Sequence, residues 1–221
     1  MDRYPFIVVE GLDGTGKTTL RKGLFRLFEG LFRLTPLAVL TTNFLDPAVA
    51  GDLVEGKYQP TPENRDRYLA ALAADKQATA DRLIAPSLPA RPVIADRWLL
   101  SELAFFAVKH DRDPKETYAR LTEQLHLVPD LTLVLDIAPE TAMDRAADRS
   151  GDATRPDWDV MEIQARVREV YQCVADTRGA FPALGKIVRI DAAQERATVL
   201  HTAWQALAQH GLLPDREGAA S

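Results

Sequence analysis

The residues best placed to do chemistry lie near the start of the chain. Gly11-Leu12-Asp13-Gly14-Thr15-Gly16-Lys17-Thr18 has the spacing G-x-x-x-x-G-K-T. That set of residue types can hold a run of phosphates. The glycines let the backbone curl, so that successive N–H groups of Gly11, Asp13, Gly14, Thr15 and Gly16 can point at one anion. A helix opening at Lys17-Thr18-Thr19 adds its positive end. Lys17 can reach β- and γ-phosphates, and the Thr18 hydroxyl can hold Mg²⁺. The loop therefore reads as a site for a nucleoside triphosphate. By itself it does not say where the γ-phosphate goes.

A second pair of interest is Asp96-Arg97. It closes the short apolar run Pro92-Val93-Ile94-Ala95. An acid and an arginine at the carboxyl end of a central strand can reach a phosphate. A surface salt bridge would leave the same trace, and position alone leaves both open.

These residues need elements to position them. Phe6-Ile7-Val8-Val9 is strand-like before the loop, and Leu20, Leu24, Leu27, Phe28 and Leu31 recur at helical spacing after it. Further apolar runs at 37–40, 92–95, 131–136 and 186–191 complete five strands alternating with helical patterns. This predicts an α/β fold with a five-stranded parallel sheet and helices on both faces. Residues 46–62, with three prolines and two glycines, read as loop or irregular helix. A helix is expected over 62–85, stopped by Pro86 and Pro89. Its polar members Asp75, Lys76 and Gln77 are expected on an exposed face. Further helices are expected over 98–108, 114–127, from 139, around 163–174 and over 194–210. Residues 1–213 form one domain in this reading. A short lid is expected over 148–159, and 214–221 is a polar tail.

Composition bounds the function. The 221 residues are 46% hydrophobic and 27% charged, ordinary for a soluble globule. A net charge of −5 argues against a dedicated nucleic-acid binder. The one cysteine, Cys173, excludes an internal disulfide framework and fits a reducing compartment. Lying beside an apolar helical stripe, it is expected to be a buried, inert thiol. His110, His126, His201 and His210 show no zinc spacing. The start of the chain leads directly into a strand, with no signal-peptide pattern, and no apolar run approaches a membrane span. A cytoplasmic setting without membrane partners is expected.

Taken together, the motifs resemble thymidylate kinase of the P-loop nucleoside monophosphate kinase group, over nearly the whole chain. The resemblance rests on residues 7–19, Asp96-Arg97-Trp98, Ser101, Ala104-Phe105, and the run from Pro129 to Asp136. Arg145, Arg149 and Arg155 are similar to the arginine-bearing lid of bacterial members, which, like this chain, have no arginine within the phosphate loop. The resemblance implies a P-loop NTPase fold, ATP as donor with Mg²⁺, a nucleotide acceptor and a homodimer. It implies Lys17, Asp13, Asp96, Arg97, Arg149 and Arg155 as catalytic, Arg145 at the donor, and Thr18 and Asp96 at the metal. Ser101 and Phe105 would meet the acceptor, Phe105 standing where a tyrosine crowds the sugar.

The departures from the family pattern cluster at the acceptor. Where the family has Arg-Glu-Pro-Gly after strand two, this chain has Thr42-Asn43-Phe44. Leu72 stands for a phenylalanine that stacks on thymine, Lys76 for an arginine that contacts the base, and Phe106 for a residue that is often polar. Leu72 and Phe106 are expected to give the base pocket an apolar lining. A lysine cannot fork onto a base edge as arginine does. The expectation is a phosphotransferase for which dTMP is a poor substrate or none and another nucleotide or nucleoside-like acceptor is preferred. The alternatives are a kinase acting on a nucleoside or other small hydroxyl, with Asp96 as base, and a nucleotide-binding regulatory protein with weak turnover. The retained Asp96-Arg97 pair and lid arginines favour a kinase, because a pure binder has no need of them.

Overall fold

The computed structural model describes residues 3–41, 44–55, 61–150, 160–177 and 179–214. Thr42 and Arg155 lie outside the described residues, as do the Arg149 side chain, most of the expected lid and nearly all of the tail.

The central strand β1 (Phe6–Gly11) is buried along its whole length, as a continuous apolar run in a covered parallel sheet must be. It lies between β3 (Val93–Asp96) and β4 (Leu131–Asp136), with β2 (Leu37–Leu40) outside β3 and β5 (Lys186–Asp191) outside β4. All pairings are parallel, in the order β2-β3-β1-β4-β5. The register sets Val9 and Leu40 beside Asp96, and Gly11 beside Leu135. The chain leaves β1 toward β2 and returns later to β4 on the other side. The loop after β1 thus sits at the point where the strand order reverses, the crevice in which open α/β sheets bind ligands.

Parallel neighbours need crossover helices. α1 (Lys17–Phe32) buries Leu20, Leu24 and Phe28 at four-residue intervals and packs against α9 (Arg196–Gln209) and the sheet. α5 (Leu99–His110) and α8 (Met161–Asp176) pack on each other and on β1 and β5. The remaining helices are α2 (Pro47–Val54), α3 (Arg65–Thr79), α6 (Pro114–Thr122) and α7 (Pro139–Ser150).

Three expectations change here. Pro86 does not stop the helix that contains α3. The backbone passes through a π turn (Ala80–Ile84) directly into α4 (Ala85–Ser87), and this widened turn just ahead of Pro86 lets the chain carry a proline within a continuing helix. Asp75 and Lys76 are 3% and 1% exposed, so they form no solvent face. Asp75 Oδ1 accepts from the N–H groups of Leu45 and Asp46 at 2.7 and 3.0 Å, fixing the chain after β2. Lys76 pairs with Glu102 at 2.8 Å. Helical periodicity could not show this, because the partners come from other elements. Cys173, expected buried, is exposed: the buried stripe of α8 runs through Val167, Tyr171 and Val174 and passes it by.

Candidate active site

The phosphate loop is shaped by contact as well as by glycine freedom. Gly14 has φ 84°, and a Cβ there would lie 1.8 Å from the Ala142 carbonyl oxygen of α7. Only glycine lets the loop press onto that helix. Gly16, with φ 94°, turns the chain into α1. Thr15 is buried and its hydroxyl donates to the Leu12 carbonyl at 2.9 Å. Thr18 and Thr19 are exposed on the first turn of α1. Lys17 is folded back into the loop, donating to the carbonyls of Gly11 at 3.0 Å and Leu12 at 2.7 Å, with Asp13 Oδ1 at 3.4 Å. Burial, assisted by the nearby Arg97, pushes its pKa down to about 8 against the pull of Asp13, Asp96 and Glu10.

Asp96 and Arg97 continue β3 toward the same opening. Asp96 is 8% exposed, with Arg21 Nε of α1 at 3.4 Å from its Oδ2. That contact is an ion pair by distance only, since Arg21 Nε makes no hydrogen bond. Arg97 has φ 71°, a left-handed conformation that costs a non-glycine residue about 1–3 kcal/mol. Its surroundings hold it there. Its N–H donates to Val9 at 2.9 Å, and its carbonyl accepts from Thr41 Oγ1 at 2.7 Å. The guanidinium is shared between two sides. Nη1 donates to Ser101 Oγ at 2.9 Å and the Tyr171 hydroxyl at 3.3 Å, and Nη2 donates to Asp13 Oδ1. Burial opposes its charge, but Tyr171, Asp13 and Glu10 more than compensate and hold its pKa above the usual arginine value.

Glu10 lies beneath this cluster and is fully buried. It accepts from the Trp98 N–H at 2.7 Å, the Ser101 N–H at 3.3 Å and the Ser101 hydroxyl. Burial raises its pKa, against those hydrogen bonds and Arg97.

The fold thus brings Asp13, Lys17, Asp96, Arg97 and Ser101 together, as the sequence suggested. Other expected residues lie apart. Leu72 and Phe106 are 2% and 0% exposed and belong to the buried hydrophobic core. Phe106 stacks between Tyr68 and His110, with ring centroids 5.8 and 5.0 Å away. Phe105 is half-buried, edge-on to Tyr68 at 5.8 Å. Lys76 spends its donors internally, on Glu102, on the Thr41 carbonyl at 3.1 Å and over the Trp98 ring at 5.5 Å. Arg145 is exposed and donates to the Ala192 carbonyl beyond β5 at 2.9 Å. Sequence reasoning passed over Glu10, Arg21, Glu102 and Tyr171. Of these, Glu10 alone left a signal, a carboxylate inside an otherwise apolar strand.

A lysine opening α1 and an arginine just past the end of β3, converging on one shared carboxylate, can hold two phosphate groups side by side, and the sheet order around them is that of the P-loop kinases acting on nucleotides. The thymidylate kinase family model matches residues 9–201, and the chain belongs to that family. It is a nucleotide kinase, and membership implies ATP and a nucleotide substrate. A probable thymidylate kinase of Methanosarcina acetivorans is 31% identical over 179 residues, covering 76% of this chain and 81% of the relative. One from Methanocorpusculum labreanum is 30% identical over 203 residues, 88% of this chain and 92% of the relative. The thymidylate kinase of Ligilactobacillus salivarius is 27% identical over 204 residues, 88% and 93% of the two chains. Among the described residues no helix is long and apolar enough to cross a membrane.

Proposed function

We propose that the protein transfers the γ-phosphate of ATP to a nucleoside monophosphate, with dTMP the acceptor that the relatives' names indicate. The observation that carries this reading is the meeting of Lys17 and Arg97 on Asp13, which sets a donor cation beside an acceptor cation. The loop amides and Lys17 hold the donor phosphates. Arg97 holds the acceptor phosphate, and Asp13 and Ser101 lie beside the acceptor. By analogy with the family, Arg145, Arg149 and Arg155 would serve the donor and the lid. Phosphoryl transfer asks mainly for positioning and charge neutralisation, and a phosphate acceptor is already ionised, so no strong base is needed.

The Thr18 hydroxyl and the Asp96 carboxylate suit Mg²⁺ carried by a nucleotide, which takes most of its ligands from phosphates and water. No cluster of three or more acidic, His or Cys side chains that could hold a metal alone occurs among the described residues. When bound, the ion neutralises phosphate charge. Homodimerisation and a cytoplasmic setting belong to the same reading by family analogy, and sedimentation tests the first.

Acceptor recognition is the divergent part. Lys76 is buried and bonded to Glu102 and the Thr41 carbonyl, Leu72 and Phe106 face the core, and Thr42 stands where the family has an arginine. These support weaker use of dTMP than a standard member shows. Steady-state ADP release with dTMP, other nucleoside monophosphates and thymidine tests the reading. Saturable turnover with a monophosphate supports it, and turnover confined to nucleosides overturns it in favour of a hydroxyl kinase.

A further inference from the structure

Tyr171 lies against Arg97 and Ser101 without being a proposed phosphate contact itself. It sits on α8, the helix that follows residues 151–159, and is 3% exposed. Its ring lies in the core, where phenylalanine would pack equally well. The hydroxyl is what needs an explanation, because burying it costs free energy unless it is bonded.

Its partners all belong to the candidate active site. The hydroxyl lies 2.8 Å from Ser101 Oγ, donates to Glu10 Oε2 at 3.3 Å, and accepts from Arg97 Nη1 at 3.3 Å. Burial pushes its pKa well above the usual phenol value, so it stays a neutral donor and acceptor. Tyr118 offers a contrast: its hydroxyl accepts from the Ala183 N–H at 2.7 Å, a bond that ties α6 to the backbone ahead of β5 and touches no charged group.

The two ends of the Arg97 guanidinium thus have different surroundings. Nη1 is held by Ser101 and Tyr171, both joined to the buried Glu10. Nη2 meets Asp13, whose side chain is 31% exposed at the mouth of the loop. An arriving phosphate can displace an exposed carboxylate far more readily than a buried hydrogen-bonded network. We propose that Tyr171 is a positioning residue for the acceptor: its hydroxyl anchors Nη1 of Arg97, so that the Nη2 end is presented to the acceptor phosphate. The inference rests on the reading that Arg97 meets that phosphate. It also ties α8 to acceptor binding.

The test compares the full-length protein with Y171F, Y171M and R97A, using ATP and dTMP, or the best monophosphate of the panel. Y171F should raise the acceptor KM about tenfold and leave the KM for ATP unchanged, the cost of losing one hydrogen bond to a charged group. Y171M also removes ring packing, so it should lower the melting temperature more than Y171F yet give the same KM split. That separates anchoring from stability if either variant folds poorly. An unchanged acceptor KM in Y171F, or equal shifts in both KM values, overturns the proposal. If R97A raises the acceptor KM while Y171F does not, the inference alone fails. If R97A leaves the acceptor KM unchanged, the reading of Arg97 fails, and the inference with it.

Discussion

Asp13 holds Arg97 on the same oxygen, Oδ1, that lies 3.4 Å from Lys17 Nζ. One carboxylate therefore joins the phosphate loop to the end of β3. It keeps two cations close together where they would otherwise repel each other. Phosphates arriving on either side take over its task of neutralising them, so the arrangement fits a site that waits for two anionic ligands.

Lys17→Ala removes the loop's one ammonium. Turnover should fall by roughly three orders of magnitude, because the charge acts on the transferring phosphoryl group. Far-UV circular dichroism should stay that of the parent, since the sheet and the apolar stripe of α1 (Leu20, Leu24 and Phe28) remain in place. Turnover within a few-fold of the parent would show that the donor binds elsewhere.

The depressed pKa of Lys17 gives a pH dependence whose sign follows from its cause. The folded value of about 8 lies below the ordinary 10.5. Between these values the unfolded chain binds more protons, so this group makes stability rise with pH across about 8 to 10.5. Bound phosphates keep Lys17 protonated, so nucleotide binding at pH 9 should take up about one proton. Calorimetry in two buffers of different ionisation enthalpy reads this directly, and zero uptake at pH 9 would contradict the placement of Lys17.

Lys76 and Glu102 form a buried ion pair, with side-chain exposures of 1% and 15%. Glu102→Ala strands a buried ammonium and should cost about 3–5 kcal/mol. For a chain of this size, at roughly 2–4 °C per kcal/mol, the melting temperature should fall by about 6–20 °C. The double variant Lys76→Met with Glu102→Leu should recover most of the loss, because it removes both charges. Thermal melts of the three proteins decide the matter, and a single variant as stable as the parent would mean that the pair is solvated.

Thr42→Arg should restore a charge-assisted hydrogen bond to the acceptor phosphate. Such a bond is worth about 1.5–3 kcal/mol, roughly ten- to hundred-fold in binding. The KM for monophosphates should drop while any activity on nucleosides stays level. Equal changes for both acceptor types would place position 42 away from the phosphate.

The strands and the phosphate loop could be read from the sequence because their determinants are contiguous: apolar runs, and glycines at fixed offsets from a lysine. The place of Asp96 and Arg97 followed from the rule that loops at carboxyl strand ends line the crevice, and that of Asp13 from the family resemblance. What escaped depends on partners distant in the chain. Asp75 and Lys76 look like solvent-facing residues until the chain after β2 and Glu102 fold onto them. Leu72 and Phe106 read as pocket lining, yet helix packing turns them inward. Tyr171 reads as one more apolar member of a helical stripe, and only its hydroxyl, seen against Arg97, sets it apart. Pro86 misled because a π turn absorbs it.

The most direct test follows the labelled phosphate. The protein is incubated with ATP carrying label in the γ position and with a panel of nucleoside monophosphates that includes dTMP, beside the matching nucleosides, and the products are separated. The account predicts label in the terminal phosphate of a nucleoside diphosphate, dTDP among the products, with one ADP formed per label transferred and none on the nucleosides. Label found only in inorganic phosphate or in a nucleoside 5′-phosphate would contradict it.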